Sequence, residues 1–440
     1  MRLPAVIFAA AAAFLAMASM PQTTTALGGP GVTPVPCPTQ EWQLGDPKFD
    51  ALPGAKAFFG RYDGGLYKIE IPDNWNGELS LFAHGYEDNQ GAQGSTLRVR
   101  NAPIREHLIK EGFAWAASSY RCNGFVPGQG LLDTMALTDL FTKFNGGRAP
   151  QRVYLTGDSM GGHIALLGMQ QFPDAFAGGL PMCASGPAIL DFLTAVAAAA
   201  EVVTGVQFKK ESVGEDLNAA AAALGIPPDY TAKGRQLASI EILLSGGPRP
   251  FVAEGLSVDS RFTADIMPAA LVGDDALTSR VASNTNVTYA IDAELGVSAD
   301  VLNARARRKA PDAALHAADG AYAELVPFNG RFARPVLTIH GTGDMVVPIS
   351  LEQTLKRAVV SAGTQELLVQ RMMRVARHCA FSPQERIRAF DDLVKWVRGG
   401  TKPDGDDVMG DLSNAGLKFT DPLRPNDPGG VRVTAGPKQQ

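Results

Sequence analysis

The sequence predicts an α/β protein in which a mostly parallel central sheet, with helices on both faces, is interrupted by a large helical insertion. Three observations carry that reading. Short apolar strands alternate with helix-compatible stretches across residues 56–184 and again across 334–398. A strand at 152–156 runs directly into Gly157-Asp158-Ser159-Met160-Gly161 and then into a helix. Between residues 185 and 333 the alternation stops, and an alanine-rich, helix-prone region takes its place.

In chain order, residues 56–75 read as a strand hairpin turning at Asp63-Gly64-Gly65. The run Leu79-Ser80-Leu81-Phe82-Ala83 is a strand that ends at His84-Gly85-Tyr86. A helix at 102–112, a strand at 113–120 and an amphipathic helix at 131–144 follow. Residues 152–156 and 179–184 are the next two strands, on either side of the Gly-x-Ser-x-Gly turn. In the insertion, 188–203, 215–224, 235–244 and 299–318 have helical composition, broken by Pro227-Pro228 and Gly246-Gly247-Pro248. At about 150 residues it is too long for a plain loop. The strand at 335–339 enters His340-Gly341-Thr342-Gly343-Asp344, and residues 366–370 read as a further strand. Residues 383–398 close the domain as a helix whose Ile387, Phe390, Leu393, Val394 and Trp396 recur at mostly helical spacing, a core face. The chain thus divides into a leader (1–26), a first core part (39–184), the helical insertion (185–333), a second core part (334–398) and a flexible tail rich in Gly, Pro and Asp (399–440).

Composition narrows the function. A net charge of −5 and an isoelectric point near 5.8 argue against nucleic acid as a partner. The chain has no P-loop, GxGxxG fingerprint, HExxH helix or Cys/His spacing suited to zinc, so no cofactor and no metal are expected. Met1-Arg2 followed by the apolar run 5–18, with the small-x-small Ala16-Met17-Ala18 and a later Thr24-Thr25-Ala26, reads as a secretory signal peptide. That run is shorter than the roughly 20 residues needed to span a bilayer, so no stable membrane anchor is expected. The expected location is secreted or periplasmic.

The chemistry lies in three side chains. Tight Gly-Ser-Gly geometry between a strand and a helix presents a serine hydroxyl at the strand's end. Downstream, Asp344 sits on the glycine-flanked turn after one strand, and His378, in Val375-Ala376-Arg377-His378-Cys379, follows another. Of six histidines, His378 alone lies beyond Asp344. A serine hydroxyl attacks well only when a base removes its proton, and the base needs a carboxylate to hold its tautomer and stabilise its charged form. His163 and His340 adjoin the motifs and read as packing groups; His107 and His316 have no supporting constellation.

The order Ser159…Asp344…His378 resembles that of the α/β-hydrolase superfamily. The resemblance covers roughly residues 56–184 and 332–398. It implies Ser159 as nucleophile, His378 as general base and Asp344 as the orienting acid. The oxyanion donors it implies are the backbone N–H of Met160 and, after a strand ending in His-Gly, that of Tyr86. Gly85 is followed by Tyr86-Glu87-Asp88 rather than by further glycines, unlike the hormone-sensitive-lipase-like subgroup. A tannase-like pattern is half present: Cys379 follows the histidine, but Asp158 rather than cysteine precedes the serine. The insertion resembles a helical cap that covers the nucleophile and shapes the pocket.

Four cysteines in an exported chain suggest two disulfides, with three possible connectivities. Cys379 adjoins the base and Cys183 ends the strand after the nucleophile helix, so a Cys183–Cys379 bond with Cys37–Cys122 is the expected pairing. Substrate contacts are expected from Tyr86 and from Arg121, the latter either binding a carboxylate or held in an internal salt bridge. The first expectation for function is a carboxylic-ester hydrolase acting on a small or oligomeric ester. The alternatives are a serine peptidase or amidase resembling prolyl-oligopeptidase catalytic domains, a polyester depolymerase, and an inactive binding module.

Overall fold

The computed structural model describes residues 34, 37, 41–45, 49–87, 94–227, 229–273, 282–311, 313 and 327–421, with the backbone alone at 226, 260–266 and 269. The leader and His316 lie outside the described residues. The main sheet has eight strands: β1 (Ala55–Tyr62), β2 (Gly65–Pro72), β3 (Glu78–Ala83), β4 (Ala114–Ser118), β5 (Arg152–Asp158), β6 (Gly178–Met182), β7 (Val336–Gly341) and β8 (Leu368–Met373). Their spatial order is β1-β2-β4-β3-β5-β6-β7-β8. The β1–β2 and β2–β4 pairs are antiparallel, and every later pair is parallel. This is the α/β-hydrolase fold.

The sheet is buried on both faces, which explains the near-continuous apolar runs of its central strands. Side chains alternate along each strand, so Leu79, Leu81, Val153 and Leu155 join one core while Phe82, Tyr154, Leu180 and Leu337 join the other. The helices α1 (Arg105–Lys110), α2 (Pro127–Met135), α3 (Leu137–Phe144) and α4 (Met160–Gln171) connect the first strands. The amphipathic stretch expected at 131–144 is two helices, meeting at Ala136. Pro127 starts the first of them, beyond the predicted start, because proline is well suited to a helix's first turn.

The insertion between β6 and β7 contains α5 (Ala188–Thr204), α6 (Val213–Leu224), α7 (Ala232–Leu244), α8 (Val252–Val272) and α9 (Ala299–Arg305). Its core centres on α5, whose Ala197, Ala198, Ala199 and Ala200 are all fully buried. The sequence reading places α5, α6 and α7 but passes over the 21-residue α8, which carries Pro268 inside it. The helix expected over 299–318 ends at Arg305, and residues 314–318 are outside the described set. Two helices, α10 (Ser350–Ala362) and α11 (Pro383–Gly399), complete the fold. A full capping box at Ser382 and Glu385, with Pro383 at the first helical position, starts α11.

The expected flexible tail is different in its first part. Residues 404–421 run along the outer strand of the sheet: Asp406 N–H donates to the Gln370 carbonyl, and the Asp406 carboxylate accepts from Met372 N–H. Val408, Leu412, Ala415 and Phe419 are buried. Gly, Pro and Asp composition hides this because the segment forms only a short 3-10 turn, at Leu412–Asn414, and is held largely by backbone and carboxylate bonds. No helix among the described residues is long and apolar enough to cross a membrane.

Candidate active site

The strand ends converge on one point. Ser159 follows β5 with φ 58° and ψ −117°, a left-handed conformation that a non-glycine residue holds only when its surroundings impose it. Glycine neighbours make that turn possible. A Cβ at Gly157 would lie 2.2 Å from the Gly161 carbonyl oxygen, and one at Gly161 would lie 2.0 Å from that of Ala83. Ser159 N–H donates to the Met182 carbonyl at 2.9 Å, while its own carbonyl accepts from His163 and Ser185.

His378 Nε2 lies 2.8 Å from Ser159 Oγ, and Nδ1 lies 2.6 Å from Asp344 Oδ2. With the proton on Nδ1, the imidazole donates to the carboxylate and accepts from the serine. Asp344 is fully buried. Its second oxygen accepts from the backbone N–H groups of Val346 and Val347, at 3.1 and 2.9 Å. Burial alone would raise this carboxyl, but the adjacent His378 and the hydrogen bond between them hold it below its ordinary value.

A second buried pair supports the acid loop from behind. His340 donates Nε2–H to the Val347 carbonyl at 2.7 Å, and its Nδ1 faces Glu352 at 3.4 Å. Burial opposes the charged imidazole, yet the facing Glu352 carboxylate raises His340 above its usual value. Glu352, likewise buried, is held below the usual carboxylate range by His340, Gln370 and Thr338.

On the other side of Ser159, Gly85 packs so closely that a Cβ there would lie 3.2 Å from Ser159 Cβ. His84 is stacked on Tyr120 with centroids 4.0 Å apart, and its Nδ1–H donates to the Gly85 carbonyl at 2.8 Å. Tyr120 Oη donates back to the His84 carbonyl at 2.9 Å. Burial pushes the His84 imidazole down, favouring its neutral form, and pushes the Tyr120 phenol far up. Tyr86 follows, 37% exposed. Met160, as the first residue of α4, has an N–H beyond the reach of intrahelical acceptors.

The cysteines pair Cys183–Cys379 and Cys37–Cys122, and none of the four is free. Cys379 Sγ is 3.4 Å from His378 Nε2, and the first disulfide ties the His378 loop to the end of β6. Arg386 of α11 reinforces the same junction: it reaches Asp158 Oδ1 at 2.7 Å and the Cys379 carbonyl at 3.0 Å. The residue before the serine and the residue after the histidine are thereby joined through one guanidinium. Cys183, His378 and Cys379 also form a cluster of potential metal donors, but both thiols are consumed in the disulfide.

Arg121 is engaged elsewhere, in ion pairs of 2.6 Å to Asp133 and 2.7 Å to Asp63. This is the internal salt bridge of the two alternatives expected for Arg121. His163 packs between the Phe125 and Phe328 rings, and His107 pairs with Asp391. Tyr120 lies in the segment 118–124 that leaves the strand beside the oxyanion strand, but nothing local marks its own contact, and nothing local marks Arg386. Their partners lie 36 and 228 positions away.

The fold and this constellation define an α/β-hydrolase-fold chain with an assembled Ser–His–Asp arrangement. Searches against family models give no match. A curated relative, the o-phthalyl amidase of Xanthobacter agilis, is 30% identical over 128 residues, which span 28% of this chain and 26% of that protein. Among solved structures, feruloyl esterase B from Aspergillus oryzae aligns over 80% of this chain and 81% of its own, with TM-score 0.43 and 14% identity. The Pyrococcus horikoshii acylaminoacyl peptidase aligns over 81% of this chain but 44% of its own, with TM-score 0.41 and 13% identity.

Proposed function

We propose that the protein is an exported serine hydrolase that cleaves carboxylic esters through an acyl-enzyme at Ser159. The observation that carries this reading is the unbroken chain from strained Ser159 through His378 to buried, doubly anchored Asp344. His378 removes the serine proton as Oγ attacks the ester carbonyl, then returns that proton to the leaving alcohol. Water, deprotonated by the same imidazole, attacks the acyl-enzyme and releases the acid. Asp344 keeps Nδ1 protonated throughout and stabilises the imidazolium. The N–H groups of Met160 and Tyr86 receive the oxyanion, a contribution of about 3 kcal/mol for each well-placed donor. Exposed Tyr86 borders the acyl or leaving-group side, and the helical segment 185–333 acts as a cap over the nucleophile. The leader-like 1–26 and the two disulfides support export.

An amide-cleaving reading has one observation in its favour, the 128-residue similarity to an amidase. The two readings share the machinery and differ in the leaving group. Mature protein and Ser159→Ala are therefore assayed on chromogenic esters of graded acyl length and on acyl and peptide anilides, with fluorophosphonate labelling as a nucleophile count. Ester turnover and labelling that both vanish in Ser159→Ala support the ester reading. Anilide turnover in excess of ester turnover promotes the amidase, and activity surviving in Ser159→Ala overturns both.

A further inference from the structure

Strained backbone gathers around the serine and the histidine. Among the described residues six non-glycine positions have positive φ, and three of them meet at one junction: Ser159 at 58°, Cys183 at 42° and Cys379 at 55°. A non-glycine residue holds such a conformation only where its surroundings over-determine it. Part of the constraint is covalent, since Cys183 and Cys379 are bonded to each other. That bond fixes the histidine loop to the end of β6, but it includes no atom of the serine turn.

One side chain bonds to both segments. Arg386, the fourth residue of α11, is buried. Its Nη1 donates to Asp158 Oδ1 at 2.7 Å and lies 3.1 Å from Met182 Sδ. Its Nη2 donates to the Cys379 carbonyl at 3.0 Å, an oxygen that also accepts from Phe381 N–H at 2.8 Å. Asp158 precedes Ser159, Met182 precedes Cys183, and Cys379 follows His378. The guanidinium therefore touches each strained position or the residue just before it. The Phe381 ring backs it, 5.2 Å from Cζ to the ring centroid. Two features set this apart from space filling. The positive end of a helix disfavours a cation, so α11 carries the charge there at an electrostatic cost. The bonds also need a planar fork, because an ammonium can meet the carboxylate but offers no rigid second donor to the other loop.

We propose that Arg386 is a positioning residue of the hydrolytic site: its guanidinium spans the serine turn and the histidine loop and fixes the separation at which His378 Nε2 meets Ser159 Oγ. It touches neither substrate nor reacting atoms. Its effect passes through the relative placement of the two loops, whose reacting atoms stand 2.8 Å apart. The disulfide and the guanidinium then divide the task, one holding the histidine loop to the sheet and the other holding it to the serine turn. This inference rests on the serine-hydrolase reading above.

The test compares Arg386→Lys, Asp158→Ala and the double variant with the parent protein and with Ser159→Ala, on whichever chromogenic substrate is turned over. Thiol titration confirms that the disulfides are intact in each preparation. Active sites are counted by fluorophosphonate labelling taken to completion, and folding is checked by thermal melting. Displacing a reacting group by an ångström lowers rate by about a hundredfold. Arg386→Lys keeps a charge for Asp158 but loses the second donor, and is expected to lower kcat per labelled site roughly tenfold or more while KM stays within about twofold. Asp158→Ala severs the serine side alone and is expected to lower kcat comparably. Because both substitutions break one link, the double variant is expected to fall no more than about twofold below the weaker single variant. Should Asp158→Ala fail to fold, Arg386→Lys alone decides. Equal kcat in the parent and a folded Arg386→Lys overturns the inference while leaving the triad intact. So do a loss confined to KM, a loss that merely follows the count of labelled sites, and losses that multiply in the double variant. Activity in Ser159→Ala instead removes the reading on which it rests.

Discussion

The sheet and the insertion both bring chain segments into close approach, but with different residues. Around the nucleophile, glycine does it: Gly157, Gly161 and Gly162 let β5 and α4 meet β3 and the end of β6 at distances no Cβ tolerates. In the core of the insertion alanine does most of it, with Ala197–Ala200 of α5 buried against its neighbours, although Gly234 of α7 meets the Leu224 carbonyl in the glycine manner. Glycine contact is backbone against backbone and leaves no slack. Alanine contact is methyl against side chain, and the neighbouring side chains can shift. The two regions should therefore fail differently when overfilled.

Gly161→Ala gives the largest expected effect. The added methyl would fall on the Ala83 carbonyl, which belongs to a strand paired on both sides and cannot retreat. A destabilisation of roughly 4 kcal/mol or more is expected, together with loss of fluorophosphonate labelling. A folded, labelled variant would break the claim that the elbow has no room.

The seam between the two regions comes next. Arg249 is fully buried and donates to the carbonyls of Thr342 and Gly247 and to Ser245 Oγ. Burial pushes its guanidinium down to about 9 in spite of the nearby Asp344 and Glu241 charges. Arg249→Leu leaves two carbonyls without these donors, one of them two residues before Asp344. A loss of about 3 kcal/mol is expected, with a fall in kcat, measured by denaturant unfolding and steady-state kinetics. Loss of stability without loss of kcat would show that the acid loop stands without the insertion.

Inside the insertion the effect should be smaller and separate from chemistry. Ala198→Leu overfills a fully buried position of α5, at a cost of about 1–3 kcal/mol, with kcat per labelled site retained. A proportional fall in kcat would make the insertion's whole core, rather than its seam alone, part of the active machinery.

What the sequence made legible follows the same division. Glycine-flanked turns and apolar strands are local signals, so the strands in chain order, and Ser159, Asp344 and His378 as residues brought together at their ends, could be read from short stretches. In α8 the signals conflict: Gly255 and Pro268 break a helical pattern that tertiary contact with the acid turn maintains. Val408, Leu412, Ala415 and Phe419 fall at helical spacing, but the Gly, Pro and Asp residues around them allow only a short 3-10 turn at Leu412–Asn414; Val408, Leu412 and Ala415 pack on Ile349 and Met372, while Phe419 joins the larger core. Residues such as Tyr120, Arg249 and Arg386 gain their roles only through partners distant in the chain. An isolated arginine or aspartate in a sequence is ordinarily a surface group.

The smallest expected effect lies at the seam as well, and it concerns pH. Asp259 has a folded-state value of about 6 against an ordinary 3.8, raised by burial first and by Asp344 second. Between those values the native protein holds a proton that the unfolded chain has released. Stability therefore falls with rising pH across that window, by linkage. The neighbouring Asp344 acts in the opposite sense. Its lowered carboxyl contributes stability that is present above its unfolded value and is lost as pH falls through its folded value. In Asp259→Asn the first contribution is absent, so melting temperature followed from pH 4 to pH 6 should rise more steeply, or fall less, than in the parent. Parallel curves would mean that neither burial nor Asp344 raises the Asp259 carboxyl.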